Sequence, residues 1–147
     1  MIEGLLIKPL KQIADERGKV MHMMRCDSEL FTQFGEIYFS MVNSGYVKAW
    51  KRHQRMTQHF AVPMGTIQLV LYDNRPDSLT HEKLQTIELG EENYSLVKIP
   101  PLIWYGFKGI SKNPALIANL ASIPHDPAES EAIDMNHPSI PHHWEEQ

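Results

Sequence analysis

Val47-Lys-Ala-Trp-Lys-Arg-His53-Gln-Arg55, then Phe60-Ala-Val62, then Thr66-Ile-Gln-Leu-Val-Leu-Tyr72, is the stretch whose reading decides the fold. Each run alternates or is continuously apolar. Turn formers bound them: Gly45 before, Pro63-Met-Gly65 between, Asp73-Asn-Arg-Pro-Asp77 after. A period of two bounded by such residues is the signature of strands. Working outward, Glu36–Val42 reads as a strand with Ile37, Phe39 and Met41 on one face. Leu84–Leu89, Tyr94–Ile99 and Ala115–Leu120 follow the same pattern. Strands spaced about ten residues apart with turns between them predict an antiparallel sandwich or barrel. Asp126–Ala132 alone looks like a helical turn. Residues 123–147 carry Pro124, Pro127, Pro138 and Pro141, so this end is predicted to be irregular or extended. The chain reads as all-β, one domain over 1–147.

Composition narrows the function classes. The 147 residues are 42% hydrophobic and 22% charged, as in an ordinary globular protein that can bury a sizeable core. No apolar run is long enough to span a membrane, and the charged first twenty residues do not resemble a signal peptide. Cys26 is the single cysteine, which excludes an internal disulfide and a multi-cysteine zinc site and suggests a reducing, cytoplasmic setting. A net charge of −4 offers no general attraction to nucleic acid.

Along Val47–Arg55, alternation places Val47, Ala49, Lys51, His53 and Arg55 on one side. An inward face that turns polar at one end would give a barrel a packed floor and a functional rim. Period alone cannot say which face is buried. A metal set is not supported by the residue types. A metal-binding cupin motif would have histidine at Lys51 and glutamate at Gln58, and a second histidine at Tyr105. An ammonium or an amide there is a poor ligand.

Several quoted segments, in order, resemble a known family. They are Asp15-Glu-Arg-Gly18, the His53 strand, Gln58–Val62, Ile99-Pro-Pro-Leu-Ile-Trp-Tyr-Gly-Phe107, Asn119, His125-Asp-Pro127 and Asn136-His-Pro-Ser-Ile-Pro-His-His-Trp144. Together they are similar to the dTDP-4-dehydrorhamnose 3,5-epimerases, RmlC-like cupins with a double-stranded β-helix (jelly-roll) barrel. The resemblance implies a metal-independent epimerase or ketoisomerase that removes a proton alpha to the ketone of a 4-keto-6-deoxy nucleotide sugar, without a cofactor. It implies a dTDP-linked substrate, a place in polysaccharide biosynthesis, and a homodimer, often with a swapped N-terminal strand.

Carried over residue by residue, the family's base falls on His53. Its enolate-stabilising lysine falls on Phe60, so Lys51 or Arg52 would have to supply that cation; they face opposite sides of the strand and only one can point inward. The family's tyrosine acid falls near Asn119, leaving Tyr105 to deliver or relay the proton. The carboxylate that orients the base should precede Pro138, where His137 stands, with Asp134 as a substitute. Arg52, Arg55, Gln58, His59 and Asn119 complete the expected substrate-binding set. Loss of three family groups keeps a second reading open: a cupin that binds a sugar nucleotide or other small ligand without turnover.

Overall fold

The computed structural model describes residues 1–145; residues 146 and 147, the end of the expected domain, lie outside the described residues. Its strands in chain order are β1 (Leu6–Pro9), β2 (Gln12–Asp15), β3 (Gly18–Met21), β4 (Glu36–Val42), β5 (Val47–His53), β6 (Gln58–Met64), β7 (Thr66–Asp73), β8 (Lys83–Gly90), β9 (Ser95–Ile99), β10 (Trp104–Gly109), β11 (Ala115–Ala121) and β12 (Ser130–Ala132). A 3-10 turn, Pro127–Glu129, precedes β12.

One five-stranded sheet runs β1-β9-β6-β11-β4 and the other β12-β5-β10-β7-β8, while β2 and β3 pair as a separate hairpin. From β4 onward the chain changes sheet at almost every connection, with β7–β8 the exception, and all ladders are antiparallel. This is the jelly-roll winding that the resemblance implies, and it falls within the sandwich or barrel that the strand spacing predicts.

The core lies between the sheets and is built by alternation. Ile67, Leu69 and Leu71 of β7 meet Val62 and Phe60 of β6, Val97 and Ile99 of β9, and Ile117 of β11. The other face of β7 is not solvated. Val70 and Tyr72 join Trp50, Trp104, Ile140 and Trp144 in a second cluster, covered by the C-terminal segment. That segment is therefore irregular, as predicted, yet well packed. Burial on both faces explains why Thr66–Tyr72 reads as a nearly continuous apolar run.

β1, β2, β3, β10 and β12 are not among the predicted strands, and Ser130–Ala132 of the expected helical turn is extended; two of the departures have visible reasons. β6 continues through Pro63 because its register against β11 slips there: Met64 faces Leu116 and Ala61 faces Ala118, so Pro63 falls where the ladder is interrupted. β10 is absent from the strands predicted above, because Gly106 and Gly109 weaken its pattern. Gly106 is required by close approach: a Cβ there would stand 2.5 Å from Cβ of Ala49.

The β7–β8 loop is organised by Asp73, which is buried. Its carboxylate accepts from Arg75 Nε at 2.9 Å, Ser78 Oγ at 2.6 Å and Thr80 Oγ1 at 2.7 Å. Burial pushes this carboxyl up, but Arg75, Ser78 and Thr80 outweigh it and hold it well below the usual carboxylate range.

Candidate active site

A cavity of about 310 Å³ opens between the sheets at β4, β5, β10 and β11. Phe60, Phe107 and Ile117 form its apolar part, and Tyr38, Ser40, Lys48, Lys51, Tyr105 and Asn119 supply polar groups. The strands dictate this mixture. On β4 the apolar residues Ile37, Phe39 and Met41 point outward, while Tyr38 and Ser40 face the cavity.

β5 departs from the simple alternation. Against β10, Lys51 faces Tyr105 and Ala49 faces Gly106, so Trp50 is an extra residue with no β10 partner. Its backbone pairs instead with Ile133, N to O at 3.1 Å and O to N at 3.2 Å. The bulge changes the phase of the strand. Val47, Ala49 and Trp50 pack in the second cluster, Lys48 and Lys51 line the cavity, and Ala49 and Trp50 border the cavity as well. The predicted single face running from Val47 to Arg55 is thus corrected: the bulge at Trp50 interrupts it, and Val47 lies in the outer cluster rather than beneath Lys51 and His53.

His53, at the end of β5, is buried one side chain behind the cavity lining. Its ring lies parallel to that of Tyr105 at 6.2 Å between centroids. Its Nδ1 is hydrogen-bonded to Glu129 Oε1. The second oxygen of Glu129 accepts the backbone N–H groups of Arg55 at 3.1 Å and Met56 at 3.3 Å. Burial lowers the His53 pKa, opposed by Glu129. Burial raises that of Glu129, but the His53 hydrogen bond and the two N–H groups outweigh it and keep the carboxyl low. Both shifts favour a neutral imidazole beside an ionised carboxylate. Since Glu129 takes the proton on Nδ1, Nε2 carries the lone pair, and it has no partner among the described residues.

The carboxylate is therefore neither Asp134 nor at position 137. Asp134 accepts from Asn136 N at 2.8 Å, and His137, exposed, bonds to Ser139 Oγ at 2.7 Å. Glu129 comes from the 3-10 turn, which Asp126 caps by accepting from Ala128 N at 3.0 Å. The Asp126-Pro127 start of that turn was the available signal, because β12 then pairs Ser130 with His53 and sets Glu129 at its ring.

The remaining predicted residues divide by face. Lys51 is the inward cation. Arg52 is turned outward, where it binds Asn74 Oδ1 at 3.1 Å and Glu131 Oε2 at 2.5 Å and lies over the Trp104 ring at 4.6 Å. Arg55 is exposed and reaches Asp126 at 3.4 Å. His59 is fully buried away from the cavity, with Nδ1 2.7 Å from the Leu120 carbonyl and Nε2 3.2 Å from that of Leu30. Gln58 is buried, and its Oε1 accepts from Asn119 Nδ2 at 3.2 Å. Burial pushes the Tyr105 phenol far up, and the Gln58 side chain opposes this by hydrogen bonding to it. Lys48, whose Nζ donates to Ser40 Oγ at 3.0 Å, adds a second cation to the cavity.

A jelly-roll barrel with a carboxylate-held neutral histidine beside a cavity bearing lysines and a tyrosine defines the class of RmlC-like cupins equipped for proton transfer. The chain belongs to the dTDP-4-dehydrorhamnose 3,5-epimerase family, whose model matches residues 1–147. It is 51% identical to a dTDP sugar isomerase from Desulfovibrio desulfuricans, covering 97% of this chain and 92% of that one with a TM-score of 0.96. It is also 37% identical to a probable low-salt glycan biosynthesis epimerase of Haloferax volcanii, over 80% of this chain and 77% of that protein. A spore coat polysaccharide biosynthesis protein of Bacillus subtilis is 31% identical over 86% of this chain and 84% of its own length. The epimerase reading is thereby favoured over binding without turnover.

Proposed function

We propose that this epimerase acts on a dTDP-linked 4-keto-6-deoxy sugar, with His53 as the base that removes a proton alpha to the ketone. The neutral His53 held by Glu129 carries this reading, because a base needs its lone pair free at working pH. Lys51 stabilises the developing enolate oxygen; a buried oxyanion without a nearby donor or cation would be prohibitively costly. Tyr105, opposite Lys51 in register, offers its hydroxyl to the same oxygen or relays the proton. Lys48 and Lys51 give the cavity the positive charge that a nucleotide diphosphate needs. The test is proton NMR of dTDP-4-keto-6-deoxyglucose with the protein in deuterated water. Deuterium at C3 or C5 is expected and names the carbon; binding without exchange would overturn the reading.

We further propose a homodimer in the cytoplasm. Ile37, Phe39 and Met41, exposed at 49%, 64% and 57%, stand along β4 at the edge of its sheet, where an uncovered apolar face invites pairing. A second copy of the chain covers them in this reading, and light scattering on the protein and on Phe39→Glu tests it. The lone, exposed, unpaired Cys26 supports a reducing compartment.

A further inference from the structure

The hydrogen-bond direction through Asn119 decides what Tyr38 can do. Asn119 Oδ1 is 3.2 Å from the backbone nitrogen of His59, which can only donate. The other end of the amide is therefore Nδ2, and it donates to Tyr38 Oη at 2.9 Å and Gln58 Oε1 at 3.2 Å. Tyr38 thus accepts from the protein. Among the described residues no acceptor takes its own O–H, and the side chain lines the cavity. Burial raises the Tyr38 phenol, with Asn119 opposing, so the group enters the reaction protonated at neutral pH.

Position supplies the second half of the argument. His53 and Tyr105 belong to β5 and β10, neighbours in one sheet, whereas Tyr38 belongs to β4 in the other, with the cavity between. Tyr105 shares a wall with the base, its ring parallel to that of His53. Inverting a carbon requires that the proton leave on one face and return on the other.

We propose that Tyr38 is the catalytic acid that returns the proton from the wall opposite His53, with Asn119 as its positioning residue. This rests on the proposed function above. His53 Nε2 takes the alpha proton, and the C–H electron pair passes into the enolate. The Tyr38 O–H then breaks as its proton forms the new C–H bond on the opposite face and the ketone is restored. The phenolate left behind accepts from Asn119 Nδ2. Water reprotonates it and removes the proton held by His53.

The experiment follows two signals at once in deuterated water with dTDP-4-keto-6-deoxyglucose: loss of the alpha-proton resonance and appearance of the inverted sugar. The native protein is expected to give both. Tyr38→Phe is expected to keep exchange within a few-fold, since His53 can return a deuteron on its own face, while inverted product falls about 100-fold or more. Asn119→Ala is expected to lower the ratio of inversion to exchange by a smaller factor, which a loss of fold alone would not do. An unchanged ratio in Tyr38→Phe, or exchange and inversion falling together, would overturn the assignment of Tyr38. Absence of exchange in the native protein would instead overturn the base assignment beneath it, and the Tyr38 proposal with it.

Discussion

Glu129 reaches His53 across 76 residues of sequence, and the two buried side chains meet where β12 pairs with the end of β5. One carboxylate oxygen sets the imidazole tautomer and the other closes the backbone of Arg55 and Met56. Replacing either residue should therefore have separable effects.

His53→Asn should fold and bind nucleotide sugar yet lose turnover; retained turnover would remove His53 as base. Glu129→Gln should lose about 100-fold or more in turnover. It should also lose stability of about 1–3 kcal/mol, because an amide cannot accept from His53 and from both N–H groups. Parallel kinetics and thermal melts check this.

Because burial lowers the His53 pKa, the imidazole stays neutral below the ordinary histidine value of about 6.5. kcat/KM should stay level through neutrality and fall only at more acidic pH. An acid limb centred above about 6.5 would show instead that Glu129 outweighs burial and raises the His53 pKa.

Lys51 and Arg52 offer an internal control, one lining the cavity and one turned outward. Lys51→Met should lower kcat by about 100- to 1,000-fold, the usual effect of removing one oxyanion-stabilising group. Arg52→Met should leave kcat within a few-fold and cost about 1 kcal/mol in melting experiments. Equal losses in both variants would argue against the inward role of Lys51.

Asp73 should make the fold acid-sensitive. Its carboxyl titrates below the unfolded value, so its contribution is complete above about pH 4 and is lost as pH falls toward the folded value. Asp73→Asn should destabilise by about 1–3 kcal/mol at neutral pH and flatten the acid side of a stability profile measured by denaturant unfolding.

Trp144→Ala should destabilise by about 3–5 kcal/mol, since Trp144 is buried and tilts against Trp50 at 5.1 Å. Chemical denaturation measures this.

How far the sequence could be read depended on whether the signal was local. Strand spacing narrows the fold to a sandwich or barrel, and alternation puts Lys51 and His53 on one face of their strand, since both are local patterns. The phase of β5 was not legible, because the slip at Trp50 depends on its partners Tyr105 and Gly106. Glu129 is legible only in part: Asp126-Pro127 marks the turn that carries it, but the pairing of Ser130 with His53, which sets it at the ring, is made by residues far apart in the chain. Tyr38 is not legible from its strand, because the apolar set Ile37, Phe39 and Met41 marks the face that points away from the cavity, and the inward face is chosen by packing.

The extra residue in β5 also limits how this protein can change over time. Val47 answers to the outer cluster and Lys48 and Lys51 to the cavity, so each can drift by substitution within its own surroundings, while Ala49 and Trp50 border both. Loss of Trp50 would leave Ala49 opposite Gly106 and Lys51 opposite Tyr105 but empty its place in the outer cluster, whereas a residue gained or lost between Lys51 and His53 would turn His53 to the other face. Mutational scanning of this strand should therefore tolerate many replacements and almost no change of length.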